Sequence, residues 1–427
     1  MFELEIEKLV HGGQGLSHDE TGHPFFVWNA LPGETVLAER IAKKKDYSEA
    51  IAKEIVTPSS HRLTVREASY LSTSPWQIMD LAYENTMKMD IARDTYKHLG
   101  GLEITPEIAT DSVEYGYRNK MEFSFTQDEA GVIQLAFFNR GTKTKIPVAG
   151  SLLASPAIQK AAEHILIWIR EQKITNRSLK AIIIRSNQKG EVIAGLFIKD
   201  ELEFKKYPEL TSGLVGFTLY YSTHKSPASV PTKLLYHEGH KYLEEIILNT
   251  TLRYGLFSFF QVNIPVCEMA LRDIGEYIMP DIPLVDYYSG VGTISLALSD
   301  KISSCIQVED NQEAVSFSQE NQKLISSHKE SQKFESFCSP AEKLLDYITS
   351  DIQIILDPPR AGLHEKVTQR ILQTLPSRII YLSCNIATQA RDLKMLSEQY
   401  TISFSRLYNF FPHTPHIEGL VVLDKKV

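Results

Sequence analysis

Cys384 has the type and setting best suited to chemistry in this sequence. It ends the apolar run IIYLSC, and NIATQARDL follows with the pattern of a helix start, where Asn385 is a fitting cap. A thiol at a helix N-terminus has its thiolate favoured by the helix dipole. That matters because a free thiol, with a pKa of ~8.5, is only slightly ionised at neutral pH. Apart from its setting, Cys384 is one of four cysteines, with Cys267, Cys305 and Cys338. Each reads as readily as a small buried hydrophobe.

Three other motifs carry chemistry. In DYYSGVGTISLAL, residues 286–298, an acid ends a buried strand, a loop with Gly290 and Gly292 follows, and a helix begins. Glycines there let a cofactor lie against backbone. Glu309 ends the next strand, 19 residues past Gly290, where an acid can bind ribose hydroxyls. The pair fits a nucleoside cofactor. No GKS or GKT accompanies it, which argues against a nucleoside triphosphate. In ILDPPRAGL, residues 355–363, paired prolines stop a strand and hold Asp357 at its carboxyl end, with Arg360 in reach of a phosphate or a base edge. In FFPHTPHIEGLVVL, residues 410–423, Glu418 is an acid in an apolar strand. It reads as solvent-facing or as a base over a site. His413 and His416 lack an evident third metal ligand and read as structural.

Those side chains need a frame. PLVDYYSG, SCIQVED, IQIILDPP and RIIYLSC are near-continuous apolar strands, the pattern of a parallel sheet covered on both faces. TISFSRLYNFF and HIEGLVVLD follow as an antiparallel pair. Further upstream, FELEIEKLV, PFFVW, TVLAERIA and EAIAKEIV are short strands around the turns HGGQG and LPGE, which predicts a small barrel over 1–58. Between them, YRNKMEFSFTQ, VIQLAFFNRG, AIIIRSNQKG and EVIAGLFIKD read as sheet strands. ASPAIQKAAEHILIWIREQK reads as a helix with Ile158, Ala162, Ile165 and Ile169 on one stripe.

Length and composition agree with this frame. A chain of 427 residues, 43% hydrophobic, has room for two or three domains. The start, MFELEIEKLV, carries acids where a signal peptide carries bases, and no apolar run approaches ~20 residues. A cytoplasmic protein without a membrane span is expected. The cysteines form no CxxC or zinc pattern, so a disulfide framework is not expected. Net charge is −8, yet residues 115–190 hold twelve Lys/Arg against five Asp/Glu. A basic middle in an acidic chain reads as a polyanion-binding face, or as scattered solvated cations.

Together DYYSGVGTISL, ILDPPRAGL, YLSCNIATQARDL and FFPHTPHIEGLVVL resemble the uracil-C5 RNA methyltransferases of bacterial tRNA and 23S rRNA. FSFFQVN at 257–263 is similar to the family's FFQxN element, YRNK at 117–120 to its central domain, and HGGQG with FFVWNALPGE to its N-terminal TRAM barrel. The resemblance implies an α/β multidomain protein. It would have a TRAM-like, OB-like β-barrel over 1–58 and a central RNA-binding α+β domain over 59–255, part of 85–115 packing on the C-terminal domain. A class I, Rossmann-like, S-adenosylmethionine-dependent methyltransferase domain would cover 256–427. It implies S-adenosylmethionine as cofactor, with Gln261, Tyr288, Glu309 and Asp357 lining the cofactor and target-base site. Cys384 would be the nucleophile and Glu418 the base. It also implies RNA as partner, 23S rRNA ahead of tRNA because the tRNA branch usually lacks the barrel. A monomer is expected.

The sequence departs from the family at one place. Many relatives bind an iron–sulfur cluster through four cysteines, but REASYLSTSPWQIMDLAYE and VAGSLLASP have none. No cluster is expected, and packing by Trp76 would replace its structural role. Two other readings compete: a non-catalytic RNA-binding or ribosome-assembly factor on this fold, and a methyltransferase for another atom. Amino-group methylases carry an aromatic after the paired prolines, where this chain has Arg360. DNA cytosine enzymes use a proline–cysteine loop, which is absent.

Overall fold

Alternating side chains build the first unit. In the computed structural model, which describes residues 1–326 and 333–426, strands Phe2–Glu5, Lys8–Leu9, Gly15–His18, Pro24–Trp28, Thr35–Lys43 and Ser48–Thr57 form one six-stranded sheet. The first strand pairs antiparallel with the fifth, and the fourth runs parallel to the sixth. Leu4, Ile6, Phe25, Val27, Val36, Ala38 and Ala50 point into one apolar core, as period-two patterning demands.

The second unit is a seven-stranded sheet. Lys120–Gln127, Ile133–Phe138 and Lys145–Val148 lie on one side of Leu179–Ser186, and Val192–Ile198, Leu214–Tyr221 and Lys233–Gly239 on the other. Helix Pro156–Glu171, capped by Ser155, buries Ile158, Ala162, Ile165 and Ile169 against it. The basic count of 115–190 overstates the free charge of this unit. Arg185 is fully buried and donates to the carbonyls of Gly255 and Ser258. Arg140 lies over the Trp28 ring and donates to the Leu71 carbonyl, and Arg118 lies over Phe411.

An eight-stranded sheet forms the third unit. Its order is Lys333–Cys338, Ser304–Glu309, Leu284–Tyr287, Gln353–Leu356, Arg378–Ser383, Glu418–Lys425, Tyr400–Tyr408 and Glu107–Ala109. The first five strands are parallel, and Glu418–Lys425 inserts antiparallel to both neighbours. From Leu284–Tyr287 the chain runs outward to Ser304–Glu309 and Lys333–Cys338, then crosses back to Gln353–Leu356 on the other side, so the strand order reverses between Leu284–Tyr287 and Gln353–Leu356. The chain therefore opens a crevice at its carboxyl end, where open α/β sheets bind ligands. Helix Leu81–Thr95 covers this unit, and Tyr96 next to it donates to Gln389 at 2.7 Å. Glu107–Ala109 then closes the far edge beside Tyr400–Tyr408. Among the described residues, no helix is long and apolar enough to cross a membrane.

The two stretches without cysteines are tied together by a carboxylate. Glu67 accepts from Thr73 Oγ1 at 2.7 Å, from Ser74 Oγ and Gln77 Nε2 at 3.3 Å, and from the Leu152 amide at 3.0 Å. Trp76 is 1% exposed and donates through Nε1 to the Gly13 carbonyl at 3.0 Å. Trp76 thus ties the first stretch to the N-terminal unit, and Glu67 ties it to the second stretch. Trp76→Ala should cost about 3–5 kcal/mol of stability in denaturant unfolding, and Trp76→Phe about 1 kcal/mol for the lost hydrogen bond. The purified protein should carry no stoichiometric iron by elemental analysis and no visible absorbance band. Stoichiometric iron would refute this account of the segment.

Candidate active site

The glycine loop forms a ledge of bare backbone. All four residues of strand Leu284–Tyr287 are buried. After it the chain turns sharply: Tyr288, Gly290 and Gly292 have φ of +63°, +59° and +84°. At Gly292 a Cβ would lie 2.5 Å from Leu296 and 2.6 Å from Gln307, so only glycine fits. Glu309 braces the ledge by accepting from the Gly290 amide at 2.9 Å and the Asn311 amide at 2.8 Å. Each of its oxygens keeps a lone pair for a hydroxyl partner. Burial raises its carboxyl above the usual range. Beneath lies Asp286, fully buried, accepting from Ser295 Oγ at 2.6 Å.

Asp357 stands at the next strand end. Burial, with the charges of Asp286 and Glu309, pushes its carboxyl up to about 7. The turn after it is pinned to the helix that follows Cys384. Asn385 donates to the Arg360 carbonyl at 2.8 Å, and Asp392 accepts from the Leu363 amide at 2.9 Å and from Tyr381 at 2.8 Å. Arg360 and Cys384 are thereby held on one rim.

Strand register brings the acid to the thiol. Ser383 lies opposite Gly419 in the antiparallel pair. The next pair outward is therefore Cys384 and Glu418. Asn385 caps helix Ile386–Leu396 through the Ala387 amide at 3.1 Å. The expected stabilisation of the Cys384 thiolate by this helix does not prevail. Burial and the carboxyl groups of Glu418 and Asp357 push the thiol up to about 12, while Arg360 pulls it down. Glu418 is 5% exposed. Its carboxyl is raised well above the ordinary range by burial and Asp357, again opposed by Arg360.

The loop before Glu418 is anchored from below. Lys88, fully buried, meets Glu84 at 2.7 Å, Asn409 Oδ1 at 2.7 Å and the Phe411 carbonyl at 3.2 Å. Glu84 also accepts from the His413 amide at 2.8 Å. His413 is structural, stacked on Tyr115 and 3.0 Å from Glu114. His416 is not. It lines a 190 Å³ cavity with His11, Gly12, Arg360, Cys384, Asn385, Pro415 and Ile417, and burial holds it neutral, down to about 3. Gln261, 7% exposed, sits in the loop that faces the ledge. Its carbonyl accepts from Asn119 at 2.9 Å, and the Phe259 carbonyl lies beside Gly290.

A model of the tRNA (uracil-5-)-methyltransferase family matches residues 99–426. The chain belongs to this family. Curated relatives agree in length. One RNA methyltransferase of Gloeobacter violaceus is 26% identical, covering 99% of this chain and 96% of its own. Another, of Lactococcus lactis, is 27% identical over 100% and 97%. Among solved structures, the Pyrococcus abyssi tRNA (uracil-54, C5)-methyltransferase in complex with S-adenosyl-L-homocysteine shares the fold. It has a TM-score of 0.79 and 23% identity, and the match covers 99% of this chain and 100% of that one.

In this methyltransferase the motif residues Tyr288, Glu309 and Asp357 gather at adjoining strand ends, with Cys384 one strand and Glu418 two strands further on. His11, Gly12 and His416 escaped sequence reasoning. The turn HGGQG reads as a barrel corner, and nothing in its residues points across the chain to Cys384. The raised thiol gives a direct prediction. Alkylation of Cys384 in the free protein, followed by peptide mass spectrometry, should rise about tenfold per pH unit from pH 7 to 9. Arg360→Ala should slow it several-fold. A rate already level at pH 7 would restore helix-end activation.

Proposed function

We propose that the protein methylates carbon 5 of a uridine in RNA, using S-adenosylmethionine, through a covalent adduct on Cys384. The observation that carries this reading is that the strand pairing ending at Ser383 and Gly419 leads straight on to Cys384 and Glu418, under the charge of Arg360 and beside the glycine ledge. The ledge, the lone pairs of Glu309 and the carboxyl of Asp357 fit a nucleoside cofactor. S-adenosylmethionine, when bound, supplies an electrophilic methyl group. Tyr288 and Gln261 would complete the walls of the cofactor and target-base site.

Carbon 5 of uracil is a weak nucleophile. The Cys384 thiolate adds to carbon 6, and the electron pair of the 5,6 double bond moves onto the ring as an enolate. Carbon 5 would then take the methyl with that electron pair, S-adenosylhomocysteine being the leaving group, and keep its proton. Glu418 in its ionised form removes that proton, the double bond re-forms, and the thiolate leaves. A carboxyl with a raised pKa is the stronger base once ionised, which suits this step. The uridine must leave its stack to reach a cavity at this depth.

The N-terminal β unit is the ground for expecting 23S rRNA over tRNA. The Pyrococcus match covers that unit as well, in a structure named for tRNA, so the unit does not separate the two. Both RNAs are arms of the test. The enzyme would act as a cytoplasmic monomer.

The test uses 23S rRNA and tRNA transcripts carrying 5-fluorouridine, where the last elimination is blocked. Wild type should form a denaturant-stable adduct that Cys384→Ala cannot. Glu418→Gln should lose about 10²–10⁴-fold in turnover and accumulate adduct on ordinary uridine RNA. A wild type that binds S-adenosylhomocysteine yet traps no RNA would favour a non-catalytic RNA-binding factor.

A further inference from the structure

The proposed reaction leaves the N-terminal β unit without a chemical role. Yet His11 and Gly12 of that unit line the same 190 Å³ cavity as Cys384, Arg360 and His416. The contact is built into the fold. Gly12 and Gly13 have φ of +96° and +94°. A Cβ on Gly13 would lie 2.3 Å from Pro415 Cβ, so the turn presses on the catalytic loop as closely as backbone can. Trp76 locks the two together, donating through its side chain to the Gly13 carbonyl at 3.0 Å and through its amide to the His413 carbonyl at 3.1 Å.

The imidazoles at this site are not alike. His413 meets Glu114 at 3.0 Å, and His416 meets Arg360 at 3.4 Å. The His11 ring has no hydrogen-bond or stacking partner among the described residues, while lining the cavity that holds the nucleophile. A flat ring with one donor and one acceptor can stack on a base or bond its edge.

We propose that the His11–Gly13 turn is a wall of the target-base pocket, and that His11 contacts the extruded pyrimidine nucleotide and holds it against Cys384. The N-terminal unit then acts in the chemical step, not only in RNA affinity. This inference rests on the methylation reading above.

The experiment uses the full chain and whichever 5-fluorouridine transcript, 23S rRNA or tRNA, the wild type traps. Adduct formation is timed in single turnover at saturating RNA, and RNA affinity is measured separately by fluorescence anisotropy. His11→Ala, at an exposed residue, should slow trapping at saturation at least tenfold, with affinity for RNA and for S-adenosylhomocysteine within twofold of wild type. His11→Asn, which keeps a donor and an acceptor, should recover part of the rate. Gly13→Ala should slow trapping as well, by forcing the turn off Pro415. An unchanged saturated rate in His11→Ala, with or without weaker RNA binding, would overturn the inference and leave the methylation reading intact. A wild type that traps neither RNA would sink both.

Discussion

One strand pairing governs the site. The chain reaches Glu418 by running antiparallel along Arg378–Ser383, with Ser383 opposite Gly419. Side chains in a strand alternate faces, so a slip of one residue would turn Glu418 to the other side of the sheet. Everything around the pair defends that register. Buried Lys88, Glu84 and Asn409 fix the loop that feeds the strand. Tyr96 and Gln389 fix the helix that leaves Cys384. Cys384 and Glu418 come from opposite ends of a long excursion, and backbone hydrogen bonding between their strands brings them together.

Electrostatics set the resting state of that pair. Asp286, Asp357 and Glu418 are withdrawn from water near one another, and each carboxyl is raised. Like charges in low dielectric favour the protonated forms. The same surroundings hold the Cys384 thiol protonated, and Arg360 is the cation that opposes both effects. The site therefore rests close to neutral on its acidic side and gains reactivity when charge is redistributed.

The sequence was most legible where hydrophobic pattern and local chemistry coincide. The four parallel apolar strands, the final antiparallel pair, the Asn385 cap and the helix stripe of Ile158 to Ile169 follow from period and capping alone. Lys333–Cys338 was less readable, because an edge strand of alternating polarity lacks the apolar run of its neighbours. Glu107–Ala109 is three residues long, too short to show a period. Arg185 counts as charge in any composition, yet tertiary packing buries it against carbonyls. The helix-end argument for Cys384 left out the burial and the carboxyls of Glu418 and Asp357 that push the thiol up, because those come from tertiary packing. His11 and Glu67 were illegible for a simpler reason: the Cys384 cavity that His11 lines and the Leu152 amide that Glu67 binds lie far away in sequence.

The path of the chain through the third sheet has a mechanical meaning. Helix Leu81–Thr95 and strand Glu107–Ala109 belong to that sheet's layers, but they precede the seven-stranded unit, and helix Ile264–Tyr277 returns after it. The seven-stranded unit is thus an insertion, entered and left through the catalytic body. Two covalent tethers, with Asn119 bonded to the Gln261 carbonyl and Tyr117 to the Pro412 carbonyl between them, remove the single flexible joint about which a lobe could swing. Any motion of this lobe is confined to rotation about the axis through its two crossing points.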